Sequence, residues 1–318
     1  MRGVFLDRDS LDLGDLDLRA LEQAFDSFRI HPATDPHEVP SRIAGCDVVI
    51  SNKVVLDAER LRGAEQLRHI CVAATGTNNV DLGVAEQLGI SVSNCQGYGT
   101  SAVAQHTLAL MLALATRLVD YTEAVRRGDW NRSEQFCLLD YPIRELSGRT
   151  LGIVGYGTLG QAVAKLARAF DMDVLVWGRP GAKDATGERL ALGDLLPKVD
   201  VLSLHCPLTD ETRNLIGAKE LGLMKPGAML VNTARGGIVD EVALVEALRS
   251  GHLGGAATDV LLVEPPKDGN PLLGADLPNL IVTPHCAWGS REARQRLVDQ
   301  LVENIHAFGS GSPIRRVV

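Results

Sequence analysis

Four residues in the second half of the chain could do chemistry together: Arg235 in "MLVNTARGGIVD", Asp259 in "ATDV", Glu264 in "VEPP" and His285 in "TPHCAWGS". Each closely follows an apolar run of strand character, and ligands of open parallel sheets collect outside the carboxyl ends of strands. An arginine there offers a fixed cationic fork for a carboxylate or phosphate. Gly236 and Gly237 behind it permit the turn that aims it. A carboxylate beside an imidazole makes a general acid–base pair. Taken singly, Arg235 could sit in a surface ion pair, Glu264 could be a solvated loop acid and His285 a turn histidine. Their order at consecutive strand ends argues for one site.

Upstream, "TLGIVGYGTLGQAVAKLA" sets Gly155, Gly157 and Gly160 in G-x-G-x-x-G spacing between an apolar run and a helical pattern. The first glycine suits a tight turn, the second a close approach of backbone to a pyrophosphate, the third close packing of helix on strand. Thr158 and Leu159 then open a helix whose amino end faces the phosphates. About 20 residues on, an acid normally receives the ribose hydroxyls of NAD. Here "LVWGRPGAK" has Gly178 and Arg179 instead. Arginine pairs with a 2′-phosphate that an acid would repel, which places NADP(H) ahead of NAD(H), with tolerance of both left open.

These motifs require strands and helices in alternation to carry them. "GVFLD", "CDVVIS", "LRHICVA" and "GISVSN" read as strands, and Leu16 to Phe25 and Leu82 to Leu88 as helices. A long helical stretch follows from Thr100 to about Arg127, then the irregular "GDWNRSEQFCLLDYPIREL", which resembles a linker or arm. A second alternating series runs from "RTLGIVGYG" to "NLIVTPH", and an amphipathic helix from Arg291 to Phe308 closes the sequence. Two parallel α/β sheets are the reading.

With 318 residues, two domains are the default. Apolar residues at 45% and charged residues at 23% suit a globular protein with sizeable cores. A formal net charge of -8 without a basic block argues against nucleic acid as a partner. Asp7, Arg8 and Asp9 stand where a signal peptide needs its apolar core, and the run from Ala102 to Val119 is interrupted by Gln105, His106 and Arg117. The expectation is a buried helix in a cytoplasmic protein, with no membrane span. Cys46, Cys71, Cys95, Cys137, Cys206 and Cys286 are scattered without metal-ligand or disulfide spacing, so no metal is expected and the thiols read as reduced.

The motifs "GTNNVDL", "VGYGTLGQAVA", "HCPLT", "NTARGGIVDE", "DV…EPP" and "PHCAW" occur in the order and at the spacing of one family. The chain resembles the D-isomer-specific 2-hydroxyacid dehydrogenases over nearly its full length. "FCLLDYPIREL" with "AWGS" is most similar to the glycerate dehydrogenase or hydroxypyruvate reductase branch. The resemblance implies two doubly wound parallel-sheet α/β domains, Rossmann-like and flavodoxin-like, separated by a cleft. Residues 1–98 with 287–318 would bind substrate, and 99–286 would bind the dinucleotide.

It further implies an NAD(P)H-dependent reduction of a small 2-oxo acid, hydroxypyruvate or glyoxylate, to D-glycerate or glycolate. Arg235 would clamp the carboxylate and ketone, His285 would give the proton, and Glu264 would hold the ring's tautomer and favour its protonated form. The cofactor would meet Gly155, Gly157, Thr158, Leu159, Gly160, Arg179, His205, Cys206, Pro207, Thr212, Thr233, Ala234 and Asp259. Lys53, Thr75 and Gly76 would complete the carboxylate site, and Trp288 would wall the pocket. The arm with Leu138 and Leu139 would reach a partner subunit in a homodimer. Other D-2-hydroxyacid dehydrogenases, 3-phosphoglycerate dehydrogenase and phosphite dehydrogenase share the arginine, glutamate and histidine. The sequence leaves little room after Phe308 for an added regulatory domain, which disfavours the longer phosphoglycerate form. A dinucleotide-sensing corepressor is the alternative from another class.

Overall fold

In the computed structural model, which describes residues 1–178 and 189–318, the chain forms two α/β units: Met1–Gly99 with Trp288–Val318, and Thr100–Ala287.

The first unit is built on β1 (Arg2–Phe5), β2 (Ser27–Ile30), β3 (Val48–Ser51), β4 (His69–Val72) and β5 (Ser91–Ser93), all parallel in the order β2-β1-β3-β4-β5. This is the flavodoxin-like doubly wound order. β3 and β4 are buried along their whole length, as a strand covered on both faces must be. One face packs Val49, Ile70 and Val92 against Leu61 and Val84. The other packs Phe5, Ile50 and Cys71 against Leu297, Val298, Leu301 and Ile305 of the helix Arg291–Gly309. The residues after that helix return to β5, where Ser93 bridges Arg316 in antiparallel sense and Val92 exchanges backbone bonds with Val317 and Val318.

The stretch from Leu16 to Phe25 is helical only over Arg19–Gln23. Asp12 Oδ1 accepts the amides of Gly14, Asp15 and Leu16, a local turn that competes with the first helical bonds.

The second unit holds β6 (Thr150–Val154), β7 (Asp173–Trp177), β8 (Arg189–Leu190), β9 (Val201–Leu204), β10 (Met229–Asn232), β11 (Gly255–Thr258) and β12 (Leu280–Val282). All are parallel, in the order β12-β11-β10-β9-β6-β7-β8. From β8 to β11 this is the Rossmann order, and it reverses between β6 and β9, where such sheets open a crevice for ligands.

The apolar stretch from Ala102 to Val119 is not one helix. Helices Thr100–Thr116 and Leu118–Arg126 meet at 62° across Arg117, which adopts φ 53. Arg117 Nε bonds Asp120 Oδ2 at 2.7 Å, a local contact three residues on, and its guanidinium lies over the Tyr141 ring; the two together brace the break that apolar patterning conceals. Among the described residues no single helix is long and apolar enough to cross a membrane.

Candidate active site

The glycine-rich turn shows what each glycine is for. Gly155 has φ +96, and a Cβ there would lie 2.6 Å from the Cys206 amide nitrogen at the end of β9. A Cβ on Gly160 would lie 2.1 Å from the Gly155 carbonyl oxygen, so the helix Thr158–Arg168 could not pack so close to β6. At Gly157 a Cβ would meet nothing within 4 Å. Nothing packed around that position forbids a side chain; a ligand in the open space would. Thr158 and Leu159 form the first turn of the helix, whose leading amides have no side-chain cap. The expected 2′-phosphate partner, Arg179, lies outside the described residues.

Past β9, the imidazole of His205 is desolvated, which pulls its pKa down to about 4 and keeps the ring neutral. Its Nε2 lies 2.9 Å from Ser203 Oγ. Burial lifts the neighbouring Cys206 thiol to about 11, so it stays protonated. Pro207 is exposed, and its carbonyl accepts the Thr212 hydroxyl at 2.7 Å; Thr212 thereby ties the 207–212 turn together.

After β10, Asn232 braces the turn carrying Arg235: its Oδ1 accepts the Ala234 amide and its Nδ2 donates to the Arg235 carbonyl, both at 3.0 Å. Thr233 Oγ1 meets Thr107 Oγ1 at 2.8 Å. A Cβ on Gly236 would come 1.9 Å from the Leu261 carbonyl oxygen, and Gly237 has φ +78. Backbone contact there excludes any larger residue. The Arg235 side chain is exposed, with Nη1 donating to the Ala234 carbonyl at 2.7 Å.

The Leu261 segment in turn fixes Glu264, whose Oε1 accepts the Leu261 amide at 2.8 Å while Oε2 lies 2.6 Å from His285 Nδ1. His285 sits after β12 at φ 52, and both members of the pair are one-third exposed. Asp259 is 1% exposed and supports this turn. Its Oδ1 accepts the Thr283 hydroxyl at 2.5 Å and the Cys286 amide at 3.0 Å, and its Oδ2 accepts the Ala287 amide at 2.9 Å.

In the first unit, Lys53 follows β3 and Thr75 and Gly76 follow β4, at the carboxyl ends of adjacent strands. Asp7 accepts the amides of Asn52, Lys53 and Val54 at 2.9, 2.6 and 3.3 Å. Thr75 Oγ1 donates to the Cys95 carbonyl. Trp288 packs edge-on to Tyr98, ring centres 6.2 Å apart. In the arm, Leu138 is half-buried, whereas Leu139 and Phe136 are 77% and 90% exposed.

Sequence reading missed Asp7, His106, Asn232 and Thr283 as supports. His106 carried a signal, a polar residue inside an apolar helical run, but was read only as an interruption of it.

Residues 108–287 match the family described as D-isomer specific 2-hydroxyacid dehydrogenase, NAD binding domain. The chain is 48% identical to the glycerate dehydrogenase of Methylorubrum extorquens, over 98% of this chain and 96% of that one. It is 38% identical to the hydroxypyruvate reductase of Blautia hydrogenotrophica, over 100% and 99% of the two chains. Among solved structures, a protein from Thermus thermophilus superposes with a TM-score of 0.88 at 40% identity over the whole of both chains. An acyclic imino acid reductase in complex with NADPH and D-Arg superposes at 0.87 with 28% identity, again over the whole of both.

Proposed function

The chain belongs to the D-isomer-specific 2-hydroxyacid dehydrogenases, and from that premise we propose that it reduces hydroxypyruvate or glyoxylate to D-glycerate or glycolate with NAD(P)H, NADPH being preferred. The observation that carries this reading is the 2.6 Å Glu264–His285 pair, in the same unit and past the same sheet end as the Gly155–Gly160 turn. The residues fit a dinucleotide: Gly157 leaves open the space a pyrophosphate needs, and the amides of Thr158 and Leu159 open a helix toward it. A bound nicotinamide supplies the hydride.

His285 supplies the proton. With Nδ1 held by Glu264, the ring delivers from Nε2 to the ketone oxygen, and Glu264 fixes the tautomer through a carboxylate that is itself anchored to Leu261. Arg235 leaves the Ala234 carbonyl to engage the substrate carboxylate with its planar fork. Asp259, beyond any contact with the carboxamide of the cofactor, keeps the His285 turn in register. The unit Met1–Gly99 with Trp288–Val318 is the substrate-binding one, using Lys53, Thr75, Gly76 and Trp288, and Thr100–Ala287 is the dinucleotide-binding one. The exposure of Leu118, Val119, Trp130, Phe136, Leu139 and Ile143, all within residues 118–143, supports a homodimer, because apolar surface left in water is commonly covered by a partner.

The test mixes purified protein with hydroxypyruvate and follows oxidation of NADPH and NADH in parallel, with Arg179→Ala as comparison. Rapid oxidation, with an NADPH preference lost in the variant, is the expected result. Tight dinucleotide binding without oxidation would sink the hydroxypyruvate assignment.

A further inference from the structure

We propose that His106 is a positioning residue for the turn that carries His285, acting through Thr283 and Asp259; the proposal rests on the reading of His285 as the proton donor. His106 is half-buried on the helix Thr100–Thr116, among Val103, Thr107 and Leu110, which are buried. Its Nε2 lies 3.1 Å from Thr283 Oγ1 and 3.6 Å from Asp259 Oδ1.

The hydrogens in this group can be assigned. Asp259 Oδ1, which also accepts the Cys286 amide, takes the single hydrogen of the Thr283 hydroxyl across 2.5 Å. The hydroxyl oxygen is then left to accept, and the His106 ring must carry a hydrogen on Nε2 to supply it. This commits the tautomer of His106 and the rotor of Thr283 at once. Asp259 also accepts the amides of Cys286 and Ala287, directly beyond His285, and the Cys286 thiol at 3.7 Å. The turn is thus gripped on both sides of a residue whose φ of 52 is one that side-chain-bearing residues avoid. Without His106 the Thr283 hydroxyl loses its donor, and the grip loses its anchor on the helix.

Ligand atoms of His106, Asp259 and Cys286 lie within 4.8 Å of one another, a spacing a cation could use. The Thr283 hydroxyl bonds to both His106 and Asp259 there, and both oxygens of Asp259 already accept hydrogens. Hydrogen bonding accounts for the cluster by itself.

The experiment compares wild type with His106→Leu, His106→Gln, Thr283→Val and the Leu/Val double variant. It reads kcat and KM for hydroxypyruvate, dinucleotide Kd, and hydrogen exchange at the Cys286 and Ala287 amides. His106→Leu is expected to lower kcat about tenfold, a fraction of the 10²- to 10⁴-fold that general acid catalysis is typically worth. KM and Kd should stay within about threefold and exchange at both amides should quicken. Glutamine, whose amide can donate from near the Nε2 position, should restore most of both. The double variant should match Thr283→Val alone, as residues acting in one chain do.

Wild-type kcat and exchange in His106→Leu would overturn the proposal. So would a loss that glutamine does not restore, accompanied by faster exchange along the whole helix Thr100–Thr116, since that is a packing role. If wild type reduces no 2-oxo acid, the reductase reading fails, and the exchange data alone then decide for or against the relay.

Discussion

Asp7 and Asp259 occupy equivalent places in the two sheets. Each follows a strand and reaches across to the loop after the neighbouring one: Asp7 from β1 to residues 52–54 after β3, Asp259 from β11 to residues 283–287 after β12. Both are buried. Asp7 is held by backbone amides, and burial raises its carboxyl above the usual value while those amides draw it back. Asp259 takes two amides and a hydroxyl backed by His106. The loops they hold also differ: Lys53 has no left-handed backbone, whereas His285 does. Where the loop holds a residue in an unfavourable backbone conformation, side-chain partners are added; where the backbone is relaxed, amides suffice.

The comparison can be broken by exchanging which loop carries the chemistry. His285→Ala is expected to lower kcat by about 10²- to 10⁴-fold. Lys53→Ala at the matching loop should chiefly raise KM, with kcat within about threefold. Steady-state kinetics on hydroxypyruvate measure both, and a larger kcat loss at Lys53 would reverse the assignment.

Each sheet also carries a neutral histidine, and here the prediction concerns stability. His69, inside β4 and stacked on Phe308, has its pKa pulled down to about 4 by burial, from an ordinary 6.5. The unfolded chain therefore takes up this proton first as pH falls. The stabilisation is full above about 6.5, erodes between 6.5 and about 4, and levels off below, for roughly 3 kcal/mol in all. His69→Phe should keep the stack and flatten the fall in denaturant-measured stability between pH 7 and 5. An unchanged slope would place the acid sensitivity elsewhere, His205 in the other unit being the next candidate.

The smallest effect sharpens the functional side. Gly157→Ala should leave the melting temperature within a few degrees, since its Cβ enters open space, while weakening dinucleotide binding about tenfold, or 1.4 kcal/mol. Equal affinity in calorimetric titration would mean that the open space is not where the pyrophosphate lies.

Much of the fold was legible because β-branched runs, helical spacing and glycine punctuation are local signals. The strands after Thr150 and the Gly155–Gly160 turn could be read directly, and so could the order of Arg235, Glu264 and His285. What could not be read depends on distant partners. The break at Arg117 is braced by the Tyr141 ring beyond the second helix, against an apolar pattern that runs straight through it. Asp7 figures in the sequence only as a charge that interrupts a would-be signal peptide, because the amides it holds are 45 to 47 residues away. Thr283 and His106 are 177 residues apart, and nothing in their flanking sequence pairs them.

The antiparallel return of Arg316 to Val318 along β5 has a consequence for solubility. A sheet's outer strand presents unpaired amides and carbonyls that can recruit strands from other molecules. Here Val92 is engaged by Val317 and Val318, the Asn94 amide by the Arg315 carbonyl, and the Ser93 hydroxyl donates to the Ile314 carbonyl, so the chain seals that border with its own tail. Self-association by strand addition is disfavoured along β5, because residues 314–318 already occupy its outer polar groups.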